Sequence, residues 1–234
     1  MKPHDPMNDG ASVSACALSA AHTALLVIDM QRDFLDPRGY AASAGVDVAR
    51  LRATIGPVQH LLAAARGNGV RVIFTREGHR PDLSDCPLAK LQRSRAAGAE
   101  IGSMGPMGRL LVRGAVGHDL VDDMQLQASE VVIDKPGYSA FHQTDLDQIL
   151  RAAAVTTLLV CGVTTEVCVH STVRAATDLG YHCITAADAC AASEAHLQQP
   201  ALAMIGVEGG LFGTVSSSAA IAARLARQPT QSPP

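Results

Sequence analysis

Three residues have the types that nucleophilic acyl transfer needs, and each follows an apolar run of strand length. Asp29 follows Ala24-Leu25-Leu26-Val27-Ile28, Lys135 follows Val131-Val132-Ile133 and Asp134, and Cys168 follows Thr157-Leu158-Leu159-Val160-Cys161 and a short turn. A thiolate attacks a carbonyl carbon, and a carboxylate takes its proton and returns it to a leaving amine. An ammonium keeps that carboxylate ionised or stabilises negative charge on substrate and thiolate. Residues 166–179 carry a helical pattern, which puts Cys168 in a first helical turn with Thr164 or Thr165 as N-cap. Unpaired amides and the positive end of the helix dipole lower a thiol's pKa there. Each residue also has a plain structural reading: a small core thiol, an Asp capping the turn after its strand, a solvated lysine.

The elements around them decide between these readings. Six apolar runs, at 24–28, 70–74, 131–133, 157–161, 181–185 and 211–215, read as strands apolar on both faces, as in a parallel sheet covered by helices. Helical patterns fall between them at 46–66, 145–154, 166–179, 194–206 and 217–227, with Gly67 and Gly180 as stops. The result is an α/β, doubly wound, Rossmann-like six-stranded parallel sheet with helices on both faces. Such sheets bind ligands at the carboxyl ends of their strands, where the acid, the lysine and the thiol gather. Residues 1–22 read as an N-terminal arm, 23–227 as a single domain and 228–234 as a tail. The Gly- and Pro-rich stretch 76–129 reads as an insertion that walls the pocket or meets a neighbouring subunit.

Composition narrows the function. The 234 residues are 47% hydrophobic and 18% charged with net charge -3, which excludes a disordered chain and leaves no basic footprint for nucleic acid or anionic membrane. With no Trp, 3 Tyr and 4 Phe, base-stacking platforms are not expected. Six cysteines (Cys16, Cys86, Cys161, Cys168, Cys183, Cys190) form no CxxC pair, so zinc-ribbon and thioredoxin chemistry do not fit. Cys161 and Cys183 fall in strands, and Cys16, Cys86 and Cys190 in loops or the arm. Lacking a signal peptide and any apolar stretch of the ~18 residues that span a bilayer, the chain reads as cytoplasmic with reduced thiols.

The stretches LLVIDMQRDF at 25–34, VIDKPGYSAF at 132–141 and VCGVTTEVCV at 160–169, in this order and spacing, resemble the isochorismatase-like cysteine hydrolases. The resemblance runs from about 23 to 225 and implies the isochorismatase-like hydrolase fold. It implies Cys168 as nucleophile, Asp29 as acid/base and Lys135 as third member of a triad. It further implies a non-proline cis peptide between Val163 and Thr164, and an oxyanion hole from the Thr164 and Cys168 amides. Neither a metal nor another cofactor is implied: the nicotinamidase branch of the family clusters His around a metal, whereas the nine His residues here are scattered.

Residues 75–83, 105–109 and 209–213 look like stretches of biuret and triuret hydrolases, with departures from the biuret pattern at Tyr138 and Glu208. The expected substrate is therefore a small neutral ureide of triuret or biuret type, cleaved through a thioester with release of ammonia. Ureidoacrylate or an N-carbamoyl amino acid is the alternative, and a ligand-binding or redox-sensing thiol protein the non-enzymatic one. Phe34, Tyr138, Thr164, Glu208 and Arg80 are the expected substrate contacts. Glu77 and Arg80 also read as surface salt-bridge partners, and His79 and His118 as substrate contacts or, more simply, solvated loop histidines. The family resemblance implies a homodimer or homotetramer.

Overall fold

The computed structural model describes residues 18–226. Cys16, most of the expected arm and the expected tail lie outside the described residues. The last residues of the arm are not loose: Leu18 is buried in the core, and a 3-10 turn at Ala20–His22 leads into the first strand.

Six strands form one parallel sheet: β1 (Thr23–Ile28), β2 (Arg71–Glu77), β3 (Val131–Lys135), β4 (Thr157–Val163), β5 (His182–Ala191) and β6 (Thr214–Ser216). Their order is β3-β2-β1-β4-β5-β6, the doubly wound order, with the reversal between β1 and β4. Every residue of β1 is buried, as both-face coverage requires. The main helices are α1 (Ile55–Gly67), α2 (Leu88–Ala96), α3 (Leu146–Ala152), α4 (His170–Asp178), α5 (Ala195–Ile205) and α6 (Ser218–Ala226). α1 packs on α6 and against β1, β2 and β5, while α4 packs on β5 and α5. Among the described residues no helix is long and apolar enough to cross a membrane.

The departures from expectation have local causes. The helix expected at 46–66 is broken between Val48–Arg52 and α1, where Thr54 Oγ1 donates to the Leu51 carbonyl at 2.7 Å and competes with the helical ladder. The last strand starts at Thr214 because Leu211 and Phe212 still bond back to Val207 and Ile205. β5 runs on to Ala191, so Cys190 is a buried strand residue rather than a loop residue. The segment 76–129 is more regular than its glycines suggest. Its first two residues complete β2, α2 follows, and a hairpin pairs Met104–Gly105 with Gly108–Arg109. Asp33, buried beside it, accepts from the Leu111 amide at 2.9 Å and so ties the insertion to the end of β1.

Gly162 lies at the switch point, paired with Ile28 across β1 and β4. Its φ is 115°, and a Cβ there would collide with the Ile28 carbonyl oxygen. Only glycine lets the two strands approach closely at the point where the chemistry gathers.

Candidate active site

The sheet delivers its reactive groups from adjacent strand ends. The chain turns out of β1 at Asp29 with φ 51°, and Asp29 Oδ1 accepts from Thr75 Oγ1 at 2.6 Å. Across β2 and β3, Arg76 pairs with Asp134 and Glu77 with Lys135. Successive side chains point to opposite faces. Arg76 and Asp134 therefore join on one face, Nε to Oδ1 at 2.8 Å, while Glu77 and Lys135 meet on the other. Lys135 Nζ lies 2.7 Å from Asp29 Oδ2 and 3.7 Å from Glu77 Oε2. The Val163-Thr164 peptide is cis. From Thr164 the chain enters a wide helical turn, Thr165–Val169, in which the Val169 amide bonds the Thr164 carbonyl at 3.1 Å. Cys168 is carried in this turn, and its Sγ donates to Glu77 Oε2 at 3.3 Å. Outside bonds fix the turn: Thr165 Oγ1 donates to Gln198 at 2.8 Å and Glu166 accepts from the Ser193 amide at 3.0 Å. Asp29, Lys135 and Cys168 thus come together, 0%, 0% and 4% exposed.

Glu77 is not the surface residue the sequence suggested. It is 3% exposed, and Lys90 on α2 reaches in to place Nζ 2.6 Å from Glu77 Oε1. The same Nζ donates to the Pro136 carbonyl at 2.7 Å. Gln31 clamps the Glu77 backbone, accepting from its N–H at 2.7 Å and donating to its carbonyl at 3.0 Å. Glu77, Lys90, Gln31 and Thr75 thus adjoin the site and were missed by sequence reasoning. A signal for Glu77 existed: Ile73, Thr75 and Glu77 alternate along one face of a strand that was ended at Phe74.

Two carboxylates and a thiol face two ammonium groups, so the charges balance when the thiol is protonated. Burial pushes the Cys168 thiol well above the ordinary range, with Lys135 opposing and Glu77 and Asp29 adding to the rise. This reverses the expectation of a lowered thiol, because desolvation outweighs the helix terminus. Burial also raises Asp29, against the pull of Lys135. Glu77 is lowered: burial works to raise it, but Lys135 and Lys90 together prevail. Lys135 is raised, since Asp29, Cys168 and Glu77 outweigh its burial. Oxygen and sulfur atoms of Asp29, Glu77 and Cys168 lie within 4.8 Å of one another, a spacing that could suit a metal ion. Here the Lys135 and Lys90 ammonium groups already supply the countercharge.

Of the expected substrate contacts, Thr164 is half-buried beside the thiol turn, and Phe34 is half-buried with its ring edge-on to Tyr40 at 6.1 Å. Tyr138 is 36% exposed, its ring 4.9 Å from Lys90 Nζ. Glu208 is exposed on the kinked segment Val207–Gly210, and Arg80 is an exposed residue ion-paired with Asp82 at 3.8 Å. His79 and His118 are buried, not solvated, on Asp85 and Asp134 at 3.2 and 3.7 Å. Cys161, Cys183 and Cys190 are buried free thiols, and Cys86 is half-buried. A surface cleft of about 360 Å³ lined by Arg50, Thr54, Asp188, Gln198 and neighbours contains none of the triad.

A buried thiol beside carboxylates and a lysine, at the switch point of a doubly wound sheet, has the groups a cysteine hydrolase needs. The isochorismatase domain matches residues 23–220, and the chain belongs to that family. It is 35% identical over 213 residues to the ureidoacrylate amidohydrolase RutB of Serratia proteamaculans, covering 86% of this chain and 82% of the relative. Among solved structures, a cysteine hydrolase from Pseudomonas syringae pv. phaseolicola superposes with a TM-score of 0.77 at 31% identity, covering 90% of this chain and 95% of that one. The N-carbamoylsarcosine amidase of Thermoplasma acidophilum gives a TM-score of 0.65 at 25% identity, over 84% and 96% of the two chains. These relatives support a hydrolase of carbon–nitrogen bonds in small ureides and amides.

Proposed function

We propose that this chain hydrolyses the ureido group of a small carbamoyl compound, with ureidoacrylate as the first substrate to test. The observation that carries this reading is the assembled Asp29-Lys135-Cys168 set in a chain 35% identical to a ureidoacrylate amidohydrolase. The sequence alone put triuret and biuret first; the named relatives favour the ureido acid. An N-carbamoyl amino acid is the second reading, on the likeness to N-carbamoylsarcosine amidase.

In the cycle, Asp29 takes the Cys168 proton as the sulfur attacks the ureido carbonyl. The Thr164 and Cys168 amides stabilise the oxyanion, an interaction worth about 3 kcal/mol. Proton transfer is coupled to attack because burial disfavours a free thiolate at Cys168. Asp29 passes the proton to the departing nitrogen, the C–N bond breaks, and a thioester remains. Water then hydrolyses the thioester. Either C–N bond of the ureido group yields ammonia, directly or from the carbamate released. Lys135 holds Asp29 in place and balances its charge throughout.

The test is ammonia release across ureidoacrylate, N-carbamoyl amino acids, triuret and biuret, with Tyr138 and Glu208 variants to read specificity. Ureidoacrylate is expected to give the highest kcat/KM. A preference for triuret or biuret overturns the substrate assignment, and turnover retained by Cys168→Ala or Cys168→Ser overturns the nucleophile.

A further inference from the structure

The triad leaves the buried carboxylate beside its sulfur without a role. Glu77 is 3% exposed, its backbone is clamped by Gln31, and its Oε1 is paired with Lys90 at 2.6 Å. Burying a carboxylate costs several kcal/mol unless it is paired, and here the insertion supplies a second buried lysine for that purpose. The fold does not require this arrangement, since an apolar side chain at position 77 would need no partner. What the arrangement secures is an anionic oxygen, Oε2, aimed at the reacting sulfur at 3.3 Å, with Lys135 Nζ farther off at 3.7 Å. Asp29 also reaches the thiol, but one of its oxygens is held by Thr75 Oγ1 at 2.6 Å and the other by Lys135 Nζ at 2.7 Å.

We propose that Glu77 is a second catalytic carboxylate, which serves the deacylation half of the cycle as Asp29 serves acylation. The proposal rests on the thioester reading above. Once the amine has left, the sulfur is bonded to the acyl carbon and Glu77 is a carboxylate. Glu77 Oε2 takes a proton from water as the water oxygen bonds to that carbon. The tetrahedral intermediate collapses, the C–S bond breaks with its electron pair on sulfur, and Glu77 returns the proton to the departing Cys168 thiolate. Thiol and both carboxylates are restored, and the net reaction consumes one water. The two lysines keep Glu77 ionised, so it is proton-free when the thioester forms.

p-Nitrophenyl acetate isolates this step. Its leaving group departs without a proton, so acetylation of Cys168 bypasses the acid role of Asp29, and the probe does not depend on the ureide assignment. Glu77→Gln is expected to keep a nitrophenolate burst near one per site, lose about 10²-fold or more of the steady rate, and accumulate an acetyl adduct on Cys168 by intact mass. Hydroxylamine attacks a thioester without a base and restores the steady rate, which it cannot do for a merely misfolded site. Because Glu77→Gln strands Lys90, the double variant Glu77→Gln/Lys90→Met is run beside it with the same expectation. A steady rate equal to wild type in a folded variant, or a variant with neither burst nor adduct, overturns the proposal. Failure of the ureide panel with this pattern intact overturns the substrate reading alone.

Discussion

Replacing Lys90 with Met tests whether the insertion is held to the sheet by charge. The Lys90 ammonium has two short contacts, Glu77 Oε1 at 2.6 Å and the Pro136 carbonyl at 2.7 Å, and its side chain is 7% exposed. Methionine keeps the volume and removes both contacts, leaving the Glu77 carboxylate with Lys135 at 3.7 Å as its cation and the Cys168 thiol at 3.3 Å as its donor. Removing one partner of a buried pair costs about 3–5 kcal/mol, because the other charge is left uncompensated. For a chain of this size each kcal/mol shifts Tm by roughly 2–4 °C, so Lys90→Met should melt about 10 °C lower. Glu77→Gln should cost a similar amount. The double variant, which removes both charges, should be more stable than the sum of the singles predicts by about 1–3 kcal/mol. Thermal melts of the four proteins by circular dichroism close the cycle. Additive losses, or a Lys90→Met melt within 2 °C of wild type, refute the reasoning.

Two further predictions concern protons. Burial lowers His118 from 6.5 to about 4, so it is neutral when folded, and the unfolded chain binds the extra proton below 6.5. Stability from this group is present above that pH and is lost as pH falls toward 4, by up to about 3 kcal/mol. His118→Asn should flatten the fall in urea midpoint between pH 7 and 4.5, and an unchanged slope contradicts the assignment. For Cys168, the raised thiol predicts that iodoacetamide alkylates it at pH 7.5 more slowly than free cysteine, with a rate still climbing above pH 9. Peptide mapping in a Cys86→Ser background reads this, and fast labelling at neutral pH contradicts it.

That Asp29, Lys135 and Cys168 meet was legible because each follows an apolar run, and a doubly wound sheet collects such positions at the carboxyl ends of its strands. Glu77 and Lys90 were not. The polar residues Thr75-Arg76-Glu77 look like the end of a strand when judged by hydrophobicity, yet they extend β2 and point alternately into the site and away from it. Lys90 is buried because the insertion brings it to Glu77 and to the Pro136 carbonyl just after β3, a tertiary path with no local periodicity to announce it. The thiol's environment was misjudged for a related reason. The helix terminus is visible in sequence, whereas the desolvation and the second carboxylate that overcome it come from distant segments.

The pairing of β2 with β3 has a consequence for how the molecule tolerates change. Side chains alternate along both strands, so sliding β2 by one residue would turn Glu77 outward and bring Arg76 toward the sulfur, and sliding β3 would do the same with Lys135 and Asp134. The outward pair therefore acts as a lock on catalytic register. Arg76 grips Asp134 at 2.8 Å and Asp119 at 2.8 Å, and Asp119 also faces Arg32 at 3.9 Å. A partly exposed set of charges on the far face of the sheet thus helps decide which side chains face the sulfur. Deletions or insertions of one residue before Arg76 should be far more harmful than their place near the end of a strand suggests, whereas insertions of two would keep the facing.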